Sequence, residues 1–202
     1  MLALLLVNVP ATALAAGQQR CPRIELQLPP SVSAATVDRL WGQGEPPQGR
    51  AALQLRGCDG QVLDRLPLPA SLARLDPRPL QGTAAPTWLV SVDLTADAGS
   101  YNGPLTQPVA IAGQRLQWVE AVDAAGRRKP VRLVSTLKAD WRRIVQGGRD
   151  AFLLIRCEPA GGDFRIVLQR YTLDGAVWRV RERSHPGFWE AEGDFPPLAR
   201  FP

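Results

Sequence analysis

Apolar and polar side chains alternate along much of this chain, and that period of two predicts strands. Arg23-Ile24-Glu25-Leu26-Gln27-Leu28 and Ala51-Ala52-Leu53-Gln54-Leu55-Arg56 both carry it. Antiparallel pairing in one register sets Ile24 opposite Leu55 and Leu26 opposite Leu53. The same register sets Cys21 opposite Cys58, and Arg23 opposite Arg56 at a small repulsive cost. A slip of one residue would send the apolar row to the wrong face. Between these strands Ser33 can cap a short helix to Trp41, with Val37, Leu40 and Trp41 on its core side and Gly42 ending it. Gln61 to Leu66 reads as a further strand, and 76–83 as a connector rich in proline and glycine.

Beyond the connector the strand signals are denser. Trp88 to Leu94 alternates, with Trp88, Val90, Val92 and Leu94 on one face. Strands follow at Val109–Ala112, Arg115–Val122 and Val131–Thr136, with turns at Gly113-Gln114 and Ala124-Ala125-Gly126. The period then changes: Leu137, Trp141, Ile144 and Val145 fall on one helical face, predicting an amphipathic helix over 136–146 that Gly147-Gly148 stops. Phe152 to Ile155 reads as a buried strand leading to Cys157.

The clearest hairpin joins Phe164–Thr172 to Ala176–Arg183 through Leu173-Asp174-Gly175, a three-residue loop ending in glycine. Pairing Thr172 with Ala176 gathers Phe164, Ile166, Leu168, Trp178 and Val180 on one face. The other face then carries Arg165, Tyr171, Arg179, Arg181 and Arg183, with Arg165 opposite Arg183. The end of the chain alternates aromatic residues with prolines, from Pro186 through Trp189 and Phe195 to Phe201-Pro202, and reads as an extended tail docked on the body.

These elements define a mainly β protein: antiparallel meanders forming a sandwich or an incomplete barrel, with one or two short helices. The expected organisation is a leader at 1–16, a strand-helix-strand segment at 17–80 and an antiparallel β domain at 86–202. The leader rests on Leu2-Ala3-Leu4-Leu5-Leu6-Val7 and the small-residue site Ala13-Leu14-Ala15-Ala16. The run is short for a bilayer span and Pro10 interrupts it, so no stable membrane span is expected after cleavage. No basic residue precedes it, which puts the natural start upstream of Met1. The leader predicts a periplasmic or secreted location, where Cys21 and Cys58 should form a disulfide. Cys157 then remains as a buried structural thiol.

Composition narrows the chemistry. The net charge is +5 and lysine occurs only at 129 and 138, so arginine carries almost all the basic charge. This matches a GC-rich bacterial genome and leans towards an anionic envelope component or a protein partner. The longest basic run, Arg127-Arg128-Lys129, is too short to predict nucleic acid binding. No C-x-x-C or H-x-x-x-H spacing suggests a metal, and no Walker A loop or G-x-G-x-x-G fingerprint suggests a nucleotide cofactor. The single histidine, His185, directly follows Ser184, so the two point to opposite faces of an extended segment.

The expected function is therefore a non-catalytic binding or interaction protein of the bacterial envelope. Arg165, Tyr171, Arg179, Arg181 and Arg183 form its candidate ligand surface, since spaced guanidinium forks hold phosphate or carboxylate groups. Two alternatives stand beside it. One is a carboxylate-dependent hydrolase using Glu182 or the tail acids Glu190, Glu192 and Asp194. The other is a carrier of a small apolar ligand, which needs a cavity inside the meander.

Overall fold

The computed structural model describes residues 21–96 and 99–202. The leader at 1–16 lies outside the described residues. The described residues are mainly β, built of antiparallel-rich sheets with one α-helix and no closed barrel.

The first sheet is β1 (Arg23–Gln27), β2 (Ala52–Arg56) and β3 (Val62–Pro67), in that order. Its register is the expected one: Arg23 pairs with Arg56, Ile24 with Leu55 and Leu26 with Leu53. The anticipated repulsion is absorbed by Glu25, whose carboxylate lies 2.8 Å from Arg23 and 2.6 Å from Arg56. The single helix, α1 (Ala34–Leu40), follows Ser33, whose Oγ accepts the Thr36 N–H at 3.1 Å. That bond satisfies an amide the first turn leaves unpaired. Val37 is buried against Val32 and Leu72.

The second sheet runs β10 (Leu133–Val134), β6 (Leu105–Ala112), β5 (Thr87–Val92), β4 (Ala73–Leu75), with β7 (Arg115–Trp118) also on β6. β5 is buried on both faces, apolar at Trp88, Val90 and Val92 on one and carrying Thr87, Leu89 and Ser91 on the other. Val90 and Val92 join Leu53, Leu55 and Leu68 in a first core. Leu89 points the other way, into a second core with Leu133, Phe152 and Trp178. Leu94 lies beyond the strand and is exposed, so it does not extend the apolar row. The first core draws on both sides of the 76–83 connector, and Leu80 of the connector is buried in the second.

The third sheet has six strands: β11 (Ala139–Gln146), β12 (Arg149–Ala160), β13 (Asp163–Asp174), β14 (Val177–Pro186), β8 (Glu120–Val122) and β9 (Arg128–Pro130). The sequence reading placed β7 and β8 in one strand. The chain instead changes sheets at Val119, and β8 pairs parallel to β14.

Two expectations are corrected here. The helix over 136–146 is a strand, paired along its whole length with β12. Leu137 and Val145, half of the supposed helical stripe, are exposed. Strand alternation instead sends Trp141 to the second core and Ile144 to the opposite face. Gly147 and Gly148, at φ +57° and +73°, make the two-residue turn into β12. Two consecutive positive φ values suit such a turn and only glycine takes them freely.

The register of the last hairpin also differs. Thr172 pairs with Arg179, not Ala176, and Leu168 pairs with Arg183, not Val180. The loop is two residues long, Gly175-Ala176, with Gly175 at φ +59° as a type II′ turn requires. A shift of three is odd, so it exchanges the faces of one strand relative to the other. Tyr171 therefore lies beside Val180 and Trp178 in the second core.

Each face of this sheet needs a cover. The inner face meets β5 through the second core. The outer face, with Leu153, Ile155 and Leu168, is covered by the tail through Trp189, Phe195 and Phe201. Phe195 and Phe201 stack at 5.7 Å, and Arg142 lies 4.3 Å from the Phe195 ring. Lys138, almost fully buried, pairs with Glu190 and sits 3.7 Å from the Phe188 ring. Cation–π attraction and the ion pair hold the same ammonium.

The connector is fastened by one buried carboxylate. Asp150 is 1% exposed and takes a two-pronged contact from Arg143, at 2.6 Å from Nε and 2.7 Å from Nη2. The same Arg143 reaches Asp76 and the Pro79 carbonyl, while the Gln81 N–H donates to Asp150. Burial alone would raise the Asp150 pKa, but the Arg143 and Gln81 hydrogen bonds outweigh it and hold the carboxyl below its ordinary value.

Replacing Asp150 with Ala should cost about 3 kcal/mol in urea unfolding, because Arg143 loses its buried two-pronged partner and keeps only the longer contacts to Asp76 and the Pro79 carbonyl. Since the folded pKa is depressed, the stability from Asp150 is complete above the ordinary carboxylate range and is lost as pH falls through the folded value. Phe201→Ala should cost about 3–5 kcal/mol by the same measurement, by opening a hole over Leu168.

Candidate functional site

Where the tail ends, the outer face of the large sheet changes character. Strand alternation places Arg179, Arg181 and Arg183 of β14 on this face, as the sequence pattern anticipates. The register adds neighbours that the hairpin alone did not reveal. Arg170 of β13 stands opposite Arg181, and Thr172 opposite Arg179. Arg149, at the start of β12, completes the group. Arg149, Arg170, Thr172 and Arg181, with Gln146 and Pro202, line a depression of about 490 Å³, and Arg179 and Arg183 lie outside its lining.

The arginines divide into anchored and available groups. Arg170 donates from Nη2 to Gln146 Oε1 at 2.6 Å, while its Nε is shut off from solvent without a hydrogen-bond partner. Arg149 reaches the Leu173 carbonyl at 3.5 Å. Arg179 is paired with Asp174 at 2.8 Å. Arg181 and Arg183 are exposed and make no ion pair among the described residues. Asp150 also borders the depression, but its oxygens are committed to Arg143 and the Gln81 amide. Positive charge here is thus only weakly offset.

Two of the five sequence candidates lie elsewhere. Arg165 pairs with Pro186 across the hairpin, not with Arg183, and its guanidinium binds Glu158 at 2.9 Å. Tyr171 is 6% exposed on the inner face and gives its hydroxyl to Gln169. Burial pushes its pKa up to about 12. It therefore contributes no aromatic contact to the arginine face. Arg149 was missed because it belongs to β12, and Arg170 because the expected register set it opposite Trp178 on the apolar face; the observed register sets it opposite Arg181.

Groups weighed for catalysis are dispersed. Glu182 lies on the inner face, half-exposed and hydrogen-bonded to Gln169 at 2.6 Å. Glu190 pairs with Lys138 beneath the tail, on the outer side. Cys157 and His185 both neighbour Ile166, one from each adjoining strand. Two strand spacings, about 10 Å, separate their backbones. Among the described residues no cluster of three or more His, Cys, Asp or Glu could hold a metal ion, and no helix is long and apolar enough to cross a membrane.

No protein-family model, curated protein or solved structure matches this chain.

Proposed function

We propose that this chain is an exported, non-catalytic binding protein of the bacterial envelope, and that its arginine face takes anionic groups on an envelope component. The observation that carries this reading is the convergence of Arg149, Arg170 and Arg181 on one depression, with Arg183 beside it. Guanidinium forks spaced along paired strands suit phosphate and carboxylate oxygens, which each accept two parallel N–H bonds. The rigid sheet holds these side chains at fixed separations, so less ordering is needed on binding. Support for the compartment comes from the apolar leader and from the two cysteines.

Cys21 and Cys58 lie two residues beyond the last β1–β2 pair, Arg23 with Arg56, and the Cys58 thiol is hydrogen-bonded to Cys21. Both are exposed thiols here, and this contact raises the Cys58 pKa. Two thiols in hydrogen-bond contact are close enough for a disulfide to form with a small adjustment of the side chains. In an oxidising compartment the pair closes.

Protein recovered from an oxidising compartment should be two hydrogens lighter by intact mass than after reduction, and Cys21→Ser should abolish the difference. On the chain-entropy model the closed form should be more stable by roughly 3–4 kcal/mol. For the arginine face, wild-type protein should sediment with phosphatidylcholine vesicles containing phosphatidylglycerol and not with phosphatidylcholine alone. Reversing Arg181 and Arg183 to Glu should weaken that binding at least about tenfold. Undiminished binding by the reversed protein would remove this surface from consideration.

A further inference from the structure

The inner face of the large sheet carries a second and larger hollow, of about 670 Å³. That volume is typical of small-molecule sites. Sheet alternation and register order its floor into rows. Tyr171 and Val180 form an apolar row at the edge of the second core. Leu154, Gln169 and Glu182 form the next, half apolar and half polar. Arg156 lies one step further along β12 on the same face. The opposite wall is the β8–β9 hairpin with Arg132 and Val134.

Charge along this groove is uneven. Arg127 and Lys129 are already held by Asp123, at 2.9 and 3.2 Å. Asp123 also accepts the Arg127 and Ala125 backbone N–H groups, so it is fully occupied in shaping the hairpin. Arg132 is exposed and makes no ion pair among the described residues. Arg156 pairs with Glu158 at 2.9 Å and lies only within 4.0 Å of Glu182. Its Nε is sealed from solvent and has no hydrogen-bond partner. The side chain as a whole is 34% exposed, so its outer nitrogens can meet an incoming anion although Nε cannot. The groove therefore passes from an apolar row, through a mixed row that carries the acid Glu182, to Arg156, and with Arg132 on the facing wall its basic groups outnumber its acids.

We propose that this groove binds a small amphiphile with a single carboxylate, its apolar body on Leu154, Tyr171 and Val180 and its head group against Arg132 and Arg156. The two charged ends of the groove are not equivalent for such a ligand. Arg127 and Lys129 share their charge with Asp123, whereas Arg132 has no acid to displace. The site shares no residue with the arginine face, so either can fail without the other.

Isothermal titration of the protein with dodecanoate, below its micellar concentration, tests the assignment. The expected result is binding of one dodecanoate per chain, weakened about tenfold in Arg132→Gln and in Arg156→Gln. Arg115→Gln, on β7 and outside both the groove and the arginine face, should leave it unchanged. Dodecyltrimethylammonium, with the same chain and a cationic head, should give no saturable heat. Absence of one-to-one dodecanoate binding, equal binding of the two amphiphiles or an unaffected Arg132→Gln protein would overturn the proposal. Tighter binding of dodecyl phosphate than of dodecanoate would overturn the carboxylate assignment. Arg132 is exposed, so its substitution stays decisive if Arg156→Gln fails to fold.

Discussion

The structure depends on a strand that is buried on both sides. β5 sends Val90 and Val92 into one core and Leu89 into another. A strand of this kind is stable only as a middle layer, because exposing either row would lose the burial that drives folding. β5 therefore requires a sheet on each side. The β1–β2–β3 sheet supplies one and the six-stranded sheet supplies the other. The same demand repeats in β12, where Phe152 and Leu154 face inward and Leu153 and Ile155 outward. No further sheet follows, and the aromatic tail completes the stack instead.

Both candidate surfaces arise where a cover stops short. On the outer face the tail shields Leu153, Ile155 and Leu168, and the uncovered remainder is arginine-rich. On the inner face the second core ends near Tyr171 and Val180, and the next rows turn polar and then cationic. A half-covered sheet face must either become polar or hold something apolar. The outer face follows the first course throughout. The inner face keeps Leu154 and Val180 along its groove and so combines the two.

Much of this was legible in the sequence, for reasons that differ by element. The β1–β2 register could be read because alternation on both strands and the cysteine positions agreed on it. The basic row Arg179, Arg181, Arg183 survived a wrong register, because alternation belongs to a strand whatever its partner. The position of Tyr171 did not survive, since it depended on which loop length the chain used. Leu173-Asp174-Gly175 and Gly175-Ala176 are both sound turn sequences, and local chemistry does not rank them. β11 was misread because Leu137, Trp141, Ile144 and Val145 meet helical spacing by coincidence. Gly147-Gly148 was the contrary signal, since paired glycines between apolar runs mark a hairpin. Membership of the arginine depression was the least legible feature, because Arg149, Arg170 and Arg181 come from three strands.

The parallel pairing of β8 with β14 has a consequence for the order of assembly. β11 through β14 form a continuous meander whose neighbours are joined by tight turns, so its contacts are local and close early. Trp178 and Ala121 lie far apart in the chain, so their pairing closes a much longer loop than any turn of the meander. Loop-closure entropy delays such a contact until the intervening meander has shortened the path. The β8–β9 hairpin is then a late seal on the sheet, and the groove it walls takes shape only when the rest of the fold is already standing.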